Sequence, residues 1–100
     1  MTPDFRSLAG RIRAAVERHD ELARRMADPD TLEDPDLLRR VAQEHSDLGP
    51  LAEAGARFLQ ILDELDQAEE LAENETGELA ELARQETEAL TEEALSLIHI

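Results

Sequence analysis

The sequence predicts an all-α protein: an elongated antiparallel helical hairpin, or a small bundle of three to four helices, with coiled-coil-like seams. Three observations carry that prediction. Helix formers dominate the composition, with 16 Leu, 15 Ala, 16 Glu and 10 Arg among 100 residues and no Lys, Cys, Trp or Tyr. Apolar residues recur at steps of three and four along most of the chain, the period of one helix face. Two Asp-Pro steps, Asp28-Pro29 and Asp34-Pro35, interrupt that rhythm six residues apart. With only Phe5 and Phe58 as aromatics, there is no material for a broad core, so Leu and Ala must be buried along narrow seams.

The first helix is predicted over about residues 4–27. Its seam is Phe5, Leu8, Ile12, Ala15, His19, Leu22 and Met26, and Pro3 falls where a first turn tolerates a missing amide. Asp28 should lie outside this helix, because a proline disfavours helical geometry in the residue before it. Asp34-Pro35 reads as a start signal. The carboxylate accepts from an early backbone amide, the proline takes the first helical position, and Asp36 adds negative charge at the positive end of the dipole. The span between the helices is a turn of about seven residues that folds antiparallel neighbours together.

In the second arm, Leu37, Val41, Leu48, Leu51, Phe58, Ile61, Leu65, Ala68 and Ala72 keep a helical period nearly to Asn74. Gly49-Pro50 interrupts it. An interior proline costs ~3 kcal/mol, so the arm is predicted as two roughly collinear helices, about 35–48 and 50–73, with a kink or short break between them. Asn74 to Gly77 has turn chemistry. A last helix, about 78–94, carries Leu79, Leu82, Ala83, Ala89 and Leu90, and is too weakly apolar to fold without a partner arm. Residues 1–94 therefore read as one helical domain.

The net charge of −15 is uneven. Residues 1–27 carry six Arg against four acids, residues 28–50 two Arg against seven acids, and residues 51–100 two Arg against fourteen. Such a second half repels phosphate and suits basic proteins, so direct nucleic-acid readout is not expected of it. Individual carboxylates mostly read as solvated helix faces. No apolar run approaches the ~20 residues of a membrane span, and no signal peptide is evident. The absence of cysteine excludes disulfides and thiolate metal sites, and a cytoplasmic protein is the expectation.

Little points to catalysis, and the chain is not expected to be an enzyme. The four glycines are scattered singly, so there is no phosphate-cradling loop. A carboxylate-bridged metal bundle needs Glu and His three apart, whereas Val16 precedes His19 and Ala42 precedes His45 at that spacing. His19 reads as a packed or half-exposed seam residue. Arg24-Arg25 and Arg39-Arg40 flank the turn, where pairing with Asp28 to Asp36 outweighs a functional basic patch. No catalytic, cofactor-binding or metal-binding residue is assigned. The positions singled out are structural turn and cap residues: Asp28, Pro29, Asp34, Pro35, Gly49 and Pro50.

The segment ERHDELARRMADPDTLEDPDLLRRVAQEHSDLGPL, Glu17 to Leu51, resembles the amino-terminal helical domain of the bacterial peptide chain release factor 1 family. That family shows an E-R-x-x-E-L helix, a D-P-x-x-x-x-D-P turn and an R-x-x-x-x-E-x-x-x-L-x-P segment. Here these are Glu17, Arg18, Glu21 and Leu22; Asp28, Pro29, Asp34 and Pro35; and Arg40, Glu44 or its neighbour His45, Leu48 and Pro50. Glu44-His45 stands where the family often has Glu-Tyr. The resemblance implies a class I release factor, which enters the ribosomal decoding site at UAA or UAG and triggers hydrolysis of peptidyl-tRNA. It implies a Pro-x-Thr codon reader and a Gly-Gly-Gln hydrolytic motif, neither of which occurs in these residues. It implies as partners the ribosome, near the stalk base, and the recycling GTPase release factor. The second release factor and ribosome-rescue paralogues are the nearest alternatives within that class.

The chain closes on LSLIHI, Leu95 to Ile100, the translation of a common sequencing-library transposon end. Residues 95–100 are therefore read as a non-native tail on a truncated amino-terminal fragment, the other reading being a native apolar helix end. The competing functional class is a stand-alone acidic coiled-coil adaptor that self-associates through its Leu and Ala seams.

Overall fold

The computed structural model describes residues 4–98; Pro3, His99 and Ile100 lie outside the described residues. These form four helices and no strand: α1 (Phe5–Met26), α2 (Pro29–Leu32), α3 (Pro35–Asn74) and α4 (Gly77–Ile98). The fold is all-α. Two compact units share it, Met1–Ala56 and Arg57–Ile100, with α3 contributing to each.

In the first unit, α1 opens on Asp4, whose side chain accepts from the Ser7 amide at 3.3 Å while the Ser7 hydroxyl donates to the Asp4 carbonyl. Arg24 and Arg25 occupy its last turn, where positive charge complements the exposed carbonyls. Phe5, Ala9 and Leu22 are buried, with Leu8, Ile12, Ala15, Val16, His19 and Met26 half-buried beside them. Contacts with α3 run in falling register: Ile12 and Val16 approach Gly55, whereas Arg18 and His19 meet Glu44 and His45. The two helices are therefore antiparallel.

The approach at Gly55 is close. A Cβ at that position would lie 2.8 Å from Ile12 Cγ2 and 3.2 Å from Val16 Cγ2. Both are methyl groups on branched Cβ atoms, with little freedom to swing aside. Gly55 thus sets how near α3 comes to α1, a role that a glycine inside a seam of Leu and Ala does not advertise in sequence.

α3 continues through Gly49 and Pro50 in helical geometry, so the helices predicted over 35–48 and 50–73 are one. The reason is where the defect falls. Pro50 is exposed, and the carbonyl deprived of its donor belongs to exposed Ser46, open to water. Gly49 has no Cβ to clash with the proline ring, relieving the usual restriction on the preceding residue. Burial of Val41 and Ala52 on the opposite side holds the helix across the defect.

In the second unit, α3 buries Phe58, Ile61, Leu65 and Ala68, and α4 buries Ala80, Ala83, Leu90 and Ala94. Arg57 meets Glu93 near the far end, so these segments are also antiparallel. The α4 seam matches the predicted one only in part. Leu79 and Leu82 are 46% and 60% exposed, and Ala89 is exposed too, as is Leu51 on α3. The buried steps are 80, 83, 90 and 94, with half-buried Thr87 between: Ala83 and Leu90 are buried as predicted, while Ala80 and Ala94 take the places expected of Leu79, Leu82 and Ala89. Alanines let two backbones approach where leucines would hold them apart. Thr87 fits among them because its hydroxyl donates to the Ala83 carbonyl at 3.0 Å. Leu95 to Ile98 continue α4.

Between α3 and α4 only Glu75 and Thr76 are non-helical. The Glu75 amide donates to the Leu71 carbonyl at 3.0 Å, and Gly77 takes φ +70°, the left-handed region that side chains disfavour.

Gly55→Ala should destabilise the protein by ~1 kcal/mol net, overpacking outweighing the gain in helix propensity. Gly10→Ala, with open space around it, should stabilise by ~0.5–1 kcal/mol. Urea unfolding of both variants checks the opposite signs. Pro50→Ala should stabilise the protein by ~1–3 kcal/mol, read as a higher urea midpoint, since it restores a donor within a continuous helix.

Candidate functional site

The elements that organise the first unit converge on the corner between α1 and α3. α1 ends at Met26, and the Ala27 and Asp28 amides close onto the Arg24 and Arg25 carbonyls at 3.1 Å. Asp28 then leaves helical geometry (ψ 129°), and its carboxylate accepts from the Asp30 amide at 2.9 Å. Pro29 follows at the first position of α2, a single helical turn inside the span predicted as a turn of about seven residues. A turn that short survives because both ends are tied. Asp28 caps its start, while the Leu32, Glu33 and Asp34 amides donate to the Asp28, Pro29 and Thr31 carbonyls. Asp34 repeats the device for α3: its Oδ1 accepts from the Leu37 amide at 3.2 Å and its carbonyl accepts from the Leu38 amide at 2.9 Å. Thr31 is buried beneath the corner. Of the six positions singled out in sequence, four meet here, whereas Gly49 and Pro50 lie away from the corner within α3.

Two side-chain clasps close the helix pairs; neither pairing was predicted, although Arg18 and Glu44 both stand among the motif residues that carry the family resemblance. Arg18 donates from Nε and Nη2 to both oxygens of Glu44, at 2.6 and 2.9 Å, a bidentate pair linking α1 to α3. Arg57 does the same with Glu93, at 2.8 and 2.9 Å, and lies 3.8 Å from Glu64. The hydrogen bond from Arg18 holds the Glu44 carboxyl below its usual value, with partial desolvation opposing and the charge of Arg18 assisting. Glu93 is lowered in the same way by Arg57. These side chains remain about two-fifths exposed, so water screens both clasps.

A geometric signal for them does exist. The midpoint of 18 and 44 is Thr31, in the corner, and that of 57 and 93 is Glu75, in the second turn. Residues equidistant from a tight turn face each other across an antiparallel pair. His19 and His45 follow the same logic, stacking with ring centroids 4.1 Å apart and planes inclined at 18°. His19 is half-buried.

Of the four arginines flanking the corner, Arg39 reaches Asp36 at 3.5 Å with both side chains largely exposed. Among the described residues, no group of three or more His, Cys, Asp or Glu side chains is placed to hold a metal ion. No helix there is long and apolar enough to cross a membrane. What the assembled residues do is satisfy backbone groups at helix starts and fix the register of paired helices.

Comparison with known proteins bears on the same segments. A family profile described as the PCRF domain matches residues 15–99. Peptide chain release factor 1 of Campylobacter concisus is 30% identical over 82 residues, 82% of this chain and 22% of that protein. The protein of the same name from Solidesulfovibrio magneticus is 29% identical over 87% of this chain and 24% of its own length. That from Bifidobacterium longum is 34% identical over 70% of this chain and 19% of its own. The chain spans about a quarter or less of these curated relatives. No solved structure matches.

Asp34→Ala should cost ~0.5–2 kcal/mol by freeing the Leu37 amide, while Pro35→Ala should cost little. Indistinguishable urea midpoints would remove Asp34 as a cap. The Glu44 clasp also has a pH signature. Because its folded value is depressed, the unfolded chain binds the extra proton. Its contribution is thus complete above the ordinary glutamate value of about 4.3 and is lost as pH falls through the lower folded value. Stability of the wild type minus that of Glu44→Gln should therefore shrink below about pH 5, the charge repulsion common to both cancelling in the difference. A constant difference from pH 7 to 3 would refute the clasp.

Proposed function

The chain belongs to the PCRF-domain family, and on that premise we propose that it is the amino-terminal helical module of a class I translation release factor of the factor 1 type. The observation that carries the reading is the double Asp-Pro corner with its two capped helix starts, lying inside the 15–99 segment that the family profile matches. The names of its relatives support factor 1 over other members of the class.

In this reading the complete protein works in the cytoplasm, entering the ribosome at UAA or UAG and promoting release of the finished peptide. Codon reading and ester hydrolysis belong to regions outside these residues. The module described here contributes an acidic helical surface. Its partners, by family resemblance, are the stalk-base region of the ribosome and the recycling GTPase release factor; the excess of carboxylates on this module favours contacts with basic protein over bare phosphate backbone.

The test is a domain exchange. Residues 1–94 replace the equivalent segment of a complete factor 1, and peptide release is measured on purified ribosomes programmed with UAA, UAG or UGA. The exchanged protein should release at UAA and UAG, and the isolated chain should release at none. Release by the isolated chain, or an exchanged protein that folds yet neither binds ribosomes nor releases peptide, would overturn the proposal.

A further inference from the structure

The buried seam of α4 leaves something behind. Leu79 and Leu82, one position off the buried face, stand beside Leu71 of α3, and the three are 46%, 60% and 39% exposed. With Leu90 they line an open groove of about 350 Å³, bordered by Glu64 and Glu86. All of it lies within the second unit. Three half-exposed leucines converging on one concavity are not the scattered surface apolar residues of an ordinary protein.

Charge decides what fits. Residues 57–100 carry thirteen acids against Arg57 and Arg84. Both cations are engaged, Arg57 with Glu93 and Glu64, Arg84 with Glu81 at 2.9 Å. A second copy would bring the same excess of carboxylates against this one, so self-association through the groove is opposed. A cationic partner is favoured, in rate of encounter and in orientation. The shape favours a helix: Leu79 and Leu82 lie on successive turns of α4 with Leu71 across from them, matching anchors at i, i+3 or i+4 and i+7.

We propose that the Leu71–Leu79–Leu82 groove is a docking site for a Lys- or Arg-rich amphipathic helix of a partner protein. Its apolar stripe seats on the leucines and its cations meet Glu64 and Glu86. The inference goes beyond the release-factor reading and does not depend on it, since it concerns the surface of the second unit alone.

The test needs no ribosome. The full chain is titrated, at about 0.15 M salt, with a fluorescent Leu/Lys peptide of about 18 residues whose leucines line one helix face. A control peptide of the same composition has its leucines scattered around the helix. The amphipathic peptide should bind roughly tenfold or more tightly than the control. Leu79→Ser/Leu82→Ser should remove about that factor, with helix content and unfolding midpoint kept. Glu86→Lys should weaken binding severalfold, and Leu32→Ser, at an exposed leucine of the first unit, should leave it unchanged. Equal affinity for the two peptides, or undiminished binding by the double-serine variant, would overturn the proposal. So would a dimer in light scattering that the double-serine variant dissolves, because the groove would then belong to a second copy.

Discussion

Helices with one apolar stripe and little aromatic mass cannot stand alone, and the structure depends on how each finds its partner. Backbone amides at a helix start have no partner of their own, and proline offers none to leave unsatisfied. An Asp-Pro step uses both facts at once, the carboxylate closing one amide and the ring removing another. Placed at residues 28 and 34, two such steps end α1, permit one turn of helix and start α3 in a defined direction. The antiparallel register of the first unit, and so the meeting of Arg18 with Glu44 and of His19 with His45, descends from that corner.

The second turn reaches a similar result by other means. Glu75 and Thr76 are the whole of it, and Gly77 supplies the backbone geometry that reverses the chain. In both units an arginine and a glutamate equidistant from the turn grip each other by two hydrogen bonds. Water screens each clasp, so their main effect is on register rather than on total stability. A slip by one helical position would separate both pairs. The narrow Ala-rich seams alone would punish such a slip less, since one alanine packs much like the next.

Much of this was legible before any coordinates. The all-α class, the corner and most of the α1 seam follow from composition, period and two dipeptides. What could not be read are places where a weaker signal wins. The leucines of α4 outweigh its alanines on any hydropathy scale, yet backbone approach favours Ala80, Ala83 and Ala94, leaving Leu79 and Leu82 outside. Pro50 argues for a break, but where its missing bond points depends on which side of α3 faces water. Gly55 looks like a helix-weakening residue until Ile12 and Val16 are seen against it. The clasps follow from counting outward from the centre of each turn, but every helix face offers several arginines and glutamates, and only the packed register decides which of them meet.

The left-handed backbone at position 77 constrains how this protein is able to vary over generations. Only the third base of a glycine codon changes silently; any replacement at the first or second inserts a side chain or a stop. Aspartate is one of the few such neighbours that tolerates this conformation, and it would add another anion to an arm already crowded with them. A side chain at this pivot therefore costs roughly 1–2 kcal/mol of backbone strain, a penalty that changes on the solvated faces of the flanking helices do not incur.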